Sequence, residues 1–248
     1  MPRKFDVVVS PVREVSLVGR ADLSYCRERL APHALHATEI EGRGEMLLSA
    51  CEARFKGVRI RELSLSIFVA REAGSSARDG ALLLRAFNSI RFFAWVERTL
   101  FRTPYYCGRI AVSPDPPVSI RLGDDDNSIV RATMGDTDSA KPLAIPAVAD
   151  GWQGPIFLPD LHDAAAPAAR LFYGSLTGDT RTIPFHAKCD VFRLGPTASD
   201  PIAPLLTDAR FEPAAWIVRA AATHGKSKTI RRTPGEEFAG FADGKIVT

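Results

Sequence analysis

Apolar and polar residues alternate along much of this chain. Leu63, Leu65, Ile67 and Val69 fall on one side of an extended segment, with Glu62, Ser64, Ser66 and Phe68 on the other, the two-residue period of a strand. Met46 to Phe55 forms a second apolar run, and Lys56-Gly57 between the two suits a turn, so the pair is expected as an antiparallel hairpin. Val7 to Val9 and Val15 to Val18, separated by Pro11, are expected as edge strands. Further strands are expected over Ala81 to Phe87, Cys107 to Val112, Val118 to Leu122, Ser128 to Met134 and Arg170 to Leu176. Over Ile183 to Leu194, Ile183, Phe185, Ala187, Cys189 and Val191 share one face, and His186, Lys188 and Asp190 the other. Ala215 to Ala222 reads as a final strand or short helix.

Two segments change to helical spacing. Leu23, Cys26 and Leu30 make a short helix that Ser24 can cap. Asn88 and Ser89 offer capping oxygens for a second helix, in which Ile90, Phe93, Ala94, Glu97 and Phe101 recur at helical intervals. Phe92, Trp95 and Val96 widen its apolar surface, so cover on several sides is expected. Pro104 biases Thr103 away from helix, and the helix should end before it. The resulting corner would aim Tyr105 and Tyr106 at a fixed place.

Many short strands with few helices predict a mainly β (α+β) chain, one domain spanning residues 1–248. The Pro-rich stretch 135–169 reads as a lid or surface excursion, and 223–248 as a mobile tail or a clasp on a neighbouring subunit. A formal net charge of +3 gives no argument for nucleic acid. No apolar run is long enough for a transmembrane helix, and the N-terminal apolar run is too short for a secretory signal. Cys26, Cys51, Cys107 and Cys189 are widely separated, which fits reduced thiols in a cytoplasmic protein. Asp124, Asp125 and Asp126 lack the alternating ligand spacing of a calcium loop and read as a hairpin tip. Neither a metal nor a cofactor is expected. No Walker loop, dinucleotide fingerprint or GxSxG motif occurs.

The element order, from the strand at Ala81 through the aromatic helix to ERTLFRTPYY, resembles the acetoacetate decarboxylase-like superfamily, including its non-decarboxylase branches. In the decarboxylases an Arg-Glu pair leads through Gly, an aromatic residue and Pro into Lys-Lys, and the first Lys is the Schiff-base nucleophile. Pro104 and Arg98 match that pattern. Thr99 stands where the Glu belongs, Glu97 lies two places early, and Tyr105 and Tyr106 occupy both lysine positions. The Leu30–Leu35 segment, LAPHAL, resembles the family's Leu-Pro-x-x-Leu, and Glu62 matches a Glu that lines the decarboxylase active site. The likeness covers about residues 13–113.

The resemblance implies a β-barrel with an internal pocket and a homo-oligomeric assembly. A phenol forms no iminium ion, so the usual decarboxylation is not expected. Beside a scaffold protein, which would have a filled barrel and no cavity, two functions stay open. One is an enzyme, lyase or hydrolase, acting on a small oxo or carboxylic acid, with Arg98 or Arg102 pairing a carboxylate, Tyr105 and Tyr106 donating to a carbonyl or oxyanion, and Glu62 moving a proton. The other is a barrel that binds a small organic acid or apolar molecule without catalysis. His186 and Lys188 are a further candidate pair, as a binding group and a pocket base or amine; the polar face of a half-buried strand is the alternative.

Overall fold

In the computed structural model, residues 4–124, 127–135, 148–159, 168–195, 201–233 and 235–238 are described. The chain begins with strand β1 (Val7–Ala21), helix α1 (Leu23–Leu30) and a 3-10 turn at Ala31–His33. Two short strands, β2 (His36–Ala37) and β3 (Glu39–Ile40), precede the long hairpin of β4 (Arg43–Phe55) and β5 (Val58–Ala70). Then come β6 (Gly80–Asn88), helix α2 (Arg91–Thr99) and β7 (Tyr105–Cys107). A four-stranded sheet takes β8 (Ile110–Ser113), β9 (Ser119–Gly123), β10 (Ser128–Thr133) and, later, β13 (Val191–Leu194). The main sheet is completed by β11 (Val148–Leu158), β12 (Arg170–Pro184), β14 (Glu212–Lys226) and β15 (Ile230–Arg231), with helix α3 (Ala203–Asp208) before β14.

The β4–β5 hairpin forms as its alternation requires. Phe55 pairs with Val58, and Lys56 and Gly57 both take positive φ, 48° and 82°, the left-handed geometry of the tight turns that match strand twist. Pairing then runs β5–β4–β1–β14–β12–β11–β6 and returns to β5, because β6 pairs both β11 and β5. The join between β6 and β11 is only two residue pairs long, Ile156 with Ala81 and Phe157 with Leu82. The sheet therefore curls on itself around a seam that is thin at one place.

The two faces of this sheet differ. Val15, Leu17, Met46, Leu48, Leu63, Leu65, Ile67, Trp216 and Val218 lie on one face and merge into the main core. The small sheet and helices α1 and α3 cover it, with Ile120, Leu122, Val130, Leu30 and Leu206 in the same cluster. The opposite face carries Glu14, Ser16, Ser49, Cys51 and Glu62. Glu14 and Ser16 are nevertheless buried, which a concave face explains.

Several expectations need correction. The two N-terminal edge strands are one strand, β1, lying between β14 and β4; a register shift between Val9 and Val12 on the β14 side accommodates Pro11, which has no N–H to give the ladder. Cys107 to Val112 is split between the two sheets. Asp22, not Ser24, caps α1, its carboxylate accepting from the Tyr25 N–H at 2.9 Å. Helix α2 is not covered on several sides: Phe92, Trp95, Leu100 and Phe101 are exposed, and Ala94 is its buried residue. It does stop before Pro104. The middle of the Pro-rich stretch is a sheet strand, β11, paired with β12 from Val148 to Leu158; residues 136–147 and 160–167 lie outside the described residues. Thr223 to Lys226, assigned to a tail, is the end of β14. Ser128 to Met134 and Val118 to Leu122 are strands, as the alternation predicts. Asp125 and Asp126 lie outside the described residues. Among the described residues no helix is long and apolar enough to cross a membrane.

Leu65 is fully buried on the apolar face. Leu65→Ala is expected to lower unfolding free energy by about 2–5 kcal/mol through lost burial and a cavity. Chemical denaturation checks this, and a change below about 1 kcal/mol contradicts the packing described.

Candidate functional site

The polar face is built from one ladder row. Arg219 on β14 pairs with Glu14 on β1, Glu14 with Cys51 on β4, Cys51 with Glu62 on β5, and Glu62 with Asn88 on β6. Residues paired in register point to the same face, so five neighbouring strands place these side chains in a line across the concavity.

Tyr105 reaches this row from the Pro104 corner. The last turn of α2 closes with the Thr103 N–H donating to the Glu97 carbonyl at 3.1 Å, and Arg102 takes φ +49°. The Pro104 carbonyl then accepts from the Ala86 N–H at 2.9 Å, locking the corner onto β6. Tyr105 Oη donates to Glu62 Oε1 at 3.1 Å. Its ring packs with Leu83, Ala86 and Leu158. Burial pushes the Tyr105 phenol well above its ordinary value, and the nearby Glu62 and Glu97 add to the effect; the hydroxyl stays protonated at neutral pH.

Glu62 lies deep among protein atoms yet keeps some accessible surface. Desolvation raises its pKa, against the pull of Lys226, the Tyr105 hydrogen bond and His224. Other buried carboxylates of the chain are treated differently. Glu45 is met by Arg20 at 2.7 Å and Arg78 at 2.5 Å, and Glu237 by Arg232 at 2.7 Å. Among the described residues no cation comes within ion-pair distance of Glu62.

Two more groups complete the site. Lys226 Nζ lies 3.4 Å from Glu97 Oε1 and 4.7 Å from the centre of the Phe172 ring. Thr103 Oγ1 lies 3.0 Å from the other carboxylate oxygen of Glu97. Behind them Glu14 is fully enclosed: Ser16 Oγ donates to Oε1 at 2.8 Å, Arg219 Nη1 at 3.2 Å, and His224 Nε2 lies 3.0 Å from Oε2. Desolvation opposes its charge, but His224, Arg219 and Ser16 outweigh it and hold the carboxyl down at about 2. The Cys51 thiol is pushed well up by burial and by Glu62 and Glu14, so it is a protonated, inert wall.

The structure sorts the sequence candidates. Glu62 and Tyr105 are brought together. Tyr106 is not with them: consecutive strand residues face opposite ways, and its ring packs instead on Phe87, centroid to centroid 5.8 Å. Arg98 covers that ring at 4.7 Å, so it too lies with Tyr106 rather than Tyr105. The corner delivers one phenol to the polar face, not two. Arg102 is an exposed residue of the turn itself. His186 and Lys188 are not on a strand; β12 ends at Pro184, residues 187–189 form a turn, and both side chains are exposed. Asp190 causes this. It is buried, accepting from the His186 N–H at 2.9 Å, the Gly135 N–H at 2.9 Å and Trp216 Nε1 at 2.9 Å, which folds the segment back as a loop. His186 and Lys188 thus lack any described contact with the Glu62 site.

Glu97, Lys226, His224 and Glu14 escaped the sequence reading. Glu97 stood two places from the expected position; it joins the site through Thr103 and the closing turn of α2. His224 and Lys226 sit two apart on β14 and so share a face, a pattern legible only once 223–226 is known to be strand. Glu14 had no sequence signal beyond alternation with Val15.

A separate cleft of about 360 Å³ is lined by Arg61, Ser89, Gly108, Arg109, Arg121 and Asp124, among others. It lies against the opposite face of β5, since Arg61 and Glu62 are consecutive, and two of its arginines already pair with Glu52 and Asp124. Among the described residues no group of three His, Cys, Asp or Glu side chains is arranged to hold a metal ion.

No protein-family model matches the sequence, and no curated protein does. Solved structures do match in fold. An acetoacetate decarboxylase structure superposes with a TM-score of 0.57 at 16% identity, covering 93% of this chain and 90% of that one. The Legionella pneumophila acetoacetate decarboxylase gives 0.56 at 14% identity, over 94% and 92%. The enduracididine biosynthesis enzyme MppR, complexed with the condensation product of pyruvate and imidazole 4-carboxaldehyde, gives 0.51 at 14% identity, over 92% and 90%. The chain has the acetoacetate decarboxylase-like fold.

The two carboxyls set opposite pH dependences. Glu14, held near 2, stabilises the fold above its ordinary value of 4.5, and that stability is lost as pH falls towards 2. Glu14→Gln is expected to flatten this acid limb and to cost about 3–5 kcal/mol at neutral pH, because Arg219 loses its buried counter-charge. Glu62, raised above 4.5, has the opposite sign: stability falls as pH rises from 4.5 through its folded value. Glu62→Gln should therefore be more stable than the parent at pH 7, with the advantage shrinking towards pH 4. Denaturation across that pH range checks both, and a destabilised Glu62→Gln protein at pH 7 contradicts the assignment.

Proposed function

We propose that this chain is an enzyme acting on a small oxo or carboxylic acid at the Glu62–Tyr105 site, without a Schiff-base lysine at the Pro104 corner. The observation that carries this is the treatment of Glu62. A buried carboxylate is ordinarily met by a cation or by several hydrogen bonds, as Glu14, Glu45 and Glu237 are by cations and Asp190 is by three N–H donors here. Glu62 is met by a phenol, and burial raises its pKa above the ordinary carboxylate value, the direction in which a carboxylate becomes a stronger base.

The reaction that fits these groups is proton abstraction next to a carbonyl. Glu62 takes a proton from the carbon beside the carbonyl. The C–H electron pair moves to form the enolate C=C, and negative charge gathers on the carbonyl oxygen. Tyr105, a phenol that stays protonated, turns its one O–H from Glu62 to that oxygen. Lys226 supplies the positive charge for the substrate carboxylate, at the side of the site where it now meets Glu97. Returning the proton to carbon completes the cycle, and an electrophile in its place would give a new carbon–carbon bond. Pyruvate is a suitable probe: it is small, carries both groups, and contributed to the product bound in the MppR structure.

The replacement of both corner lysines supports a second reading, in which the hollow binds such an acid and does no chemistry. Exchange of the pyruvate methyl protons in D₂O, followed by proton NMR, separates the two. The enzyme reading expects exchange by the parent and a loss of about 100-fold in Tyr105→Phe, with the melting temperature within a few degrees. Stabilisation by pyruvate without exchange supports the binding reading. An unchanged exchange rate in Tyr105→Phe removes Tyr105 from the mechanism.

A further inference from the structure

The outer face of the small sheet takes no part in the Glu62–Tyr105 site, yet its side chains follow a pattern. Ile110, Ile120, Leu122, Val130 and Ala132 point into the core, so the alternate residues of these strands point away from it. Strand registry then sets Ala111 opposite Arg121, Arg121 opposite Arg131 and Arg131 opposite Arg193. Arginines on β9, β10 and β13 thus stand side by side, across about 10 Å of backbone. Like charges directly opposite one another destabilise a sheet. Arg131 and Arg193 are exposed, and among the described residues no carboxylate comes within ion-pair distance of either. The next row on the same face is Ser113, Ser119 and Thr133, so hydroxyls flank the guanidiniums.

We propose that this face, with the cleft at its β8 edge, binds a small ligand through a chain of two or three phosphates. The cleft, of about 360 Å³, opens where the arginine row ends: Ala111 and Arg121 line it, and Arg61, Arg109 and Ser89 join them. Asp124 is the acidic residue of that lining. The negative charge nearby is shared out among several cations. Arg59 and Arg61 both donate to one oxygen, Glu52 Oε2, each at 2.6 Å. Arg109 meets Asp124, but their side chains are 81% and 58% exposed. Exposed pairs of this kind contribute little, so an anion can take that guanidinium over. Positive charge is therefore in excess along the row and into the cleft.

The geometry selects the anion. A guanidinium offers a planar fork of N–H donors that matches the oxygens of a phosphate. One carboxylate would occupy one fork, whereas guanidiniums in line call for negative charges in line, which a phosphate chain supplies. Size selects a small ligand. The formal net charge is +3, so the basic character is local rather than the broad footprint of a nucleic-acid-binding surface, and the cleft has the volume of a small-molecule site. The phosphates lie along Arg121, Arg131 and Arg193, beside Ser119 and Thr133, and any group they carry enters the cleft. No bond is made or broken. The proposal is independent of the chemistry assigned to Glu62, which faces the other side of β5 from Arg61.

Titration calorimetry in EDTA, with inorganic triphosphate and ATP as probes, tests this. Both are expected to bind. Arg131→Gln and Arg193→Gln, which leave the core untouched, should each weaken binding about tenfold, the loss of one charge-assisted pair. Arg181→Gln, which removes an exposed arginine on β12 of the main sheet, should bind as the parent does. Tighter binding of ATP than of triphosphate supports an organic ligand with its phosphates on the row; equal binding supports an inorganic phosphate chain. Failure of both probes to bind overturns the proposal, and so does an equal loss in Arg181→Gln, which would mean attraction by net charge alone. A single-stranded oligonucleotide that binds more tightly than ATP overturns the assignment to a small ligand. Without any probe, Arg131→Gln should melt about 2 °C above the parent at low salt, and the difference should shrink as salt is added. A lower melting temperature contradicts the like-charge row.

Discussion

Two carboxyl groups on one row of a curled sheet define the interior of this protein. Putting a carboxylate on a concave, water-poor face is costly unless a cation or several hydrogen bonds meet it. The chain satisfies Glu14 with Arg219, His224 and Ser16, and it remains ionised. It gives Glu62 a phenol instead, and burial shifts that group towards its neutral form. Because strand registry fixes which residues share the row, neither group can move without slipping a strand by a residue, and such a slip would turn the apolar set Leu63, Leu65 and Ile67 away from the core.

The two faces of the sheet divide the work. The covered face carries large aliphatic side chains and Trp216, and it holds the strands in register. The concave face carries polar groups that contribute little to that packing. Helix α2 and the Pro104 corner join the two. The corner accepts a backbone hydrogen bond from β6 at the Pro104 carbonyl, presents Tyr105 to the concave side and Tyr106 to the covered side, and brings the Glu97 carboxylate back towards Lys226. An exposed helix such as α2, with Phe92 and Trp95 in solvent, is held by this corner and by its contact with β7 and β6 rather than by burial of its own apolar face.

Much of the fold was legible in the sequence because strand alternation follows directly from which face is buried. The β4–β5 hairpin, the strand at Ala81 and the stop before Pro104 all followed from local pattern. What was lost depended on distant partners. Pro11 reads as a strand break until a register shift against β14 absorbs it. Asp190 reads as one member of a polar strand face, yet Trp216, 26 residues on, draws it inward and turns His186 and Lys188 out to solvent. Glu62 and Tyr105 were legible as a pair because family resemblance and alternation pointed at both. His224 and Lys226 were not, because a basic, glycine-containing segment has the composition of a tail, and its place on β14 is set by pairing with Val9 and Val7 at the other end of the chain.

The central claim is that an oxo acid is held on the concave face, against Tyr105 and Glu62. A crystal structure of the protein soaked with pyruvate tests it most directly. The account predicts the ketone oxygen within hydrogen-bond distance of Tyr105 Oη, its methyl group against the Glu62 carboxyl, and its carboxylate turned towards Lys226. Pyruvate found only in the arginine-lined cleft on the far side of β5, or side chains filling the space beside Tyr105, would contradict it.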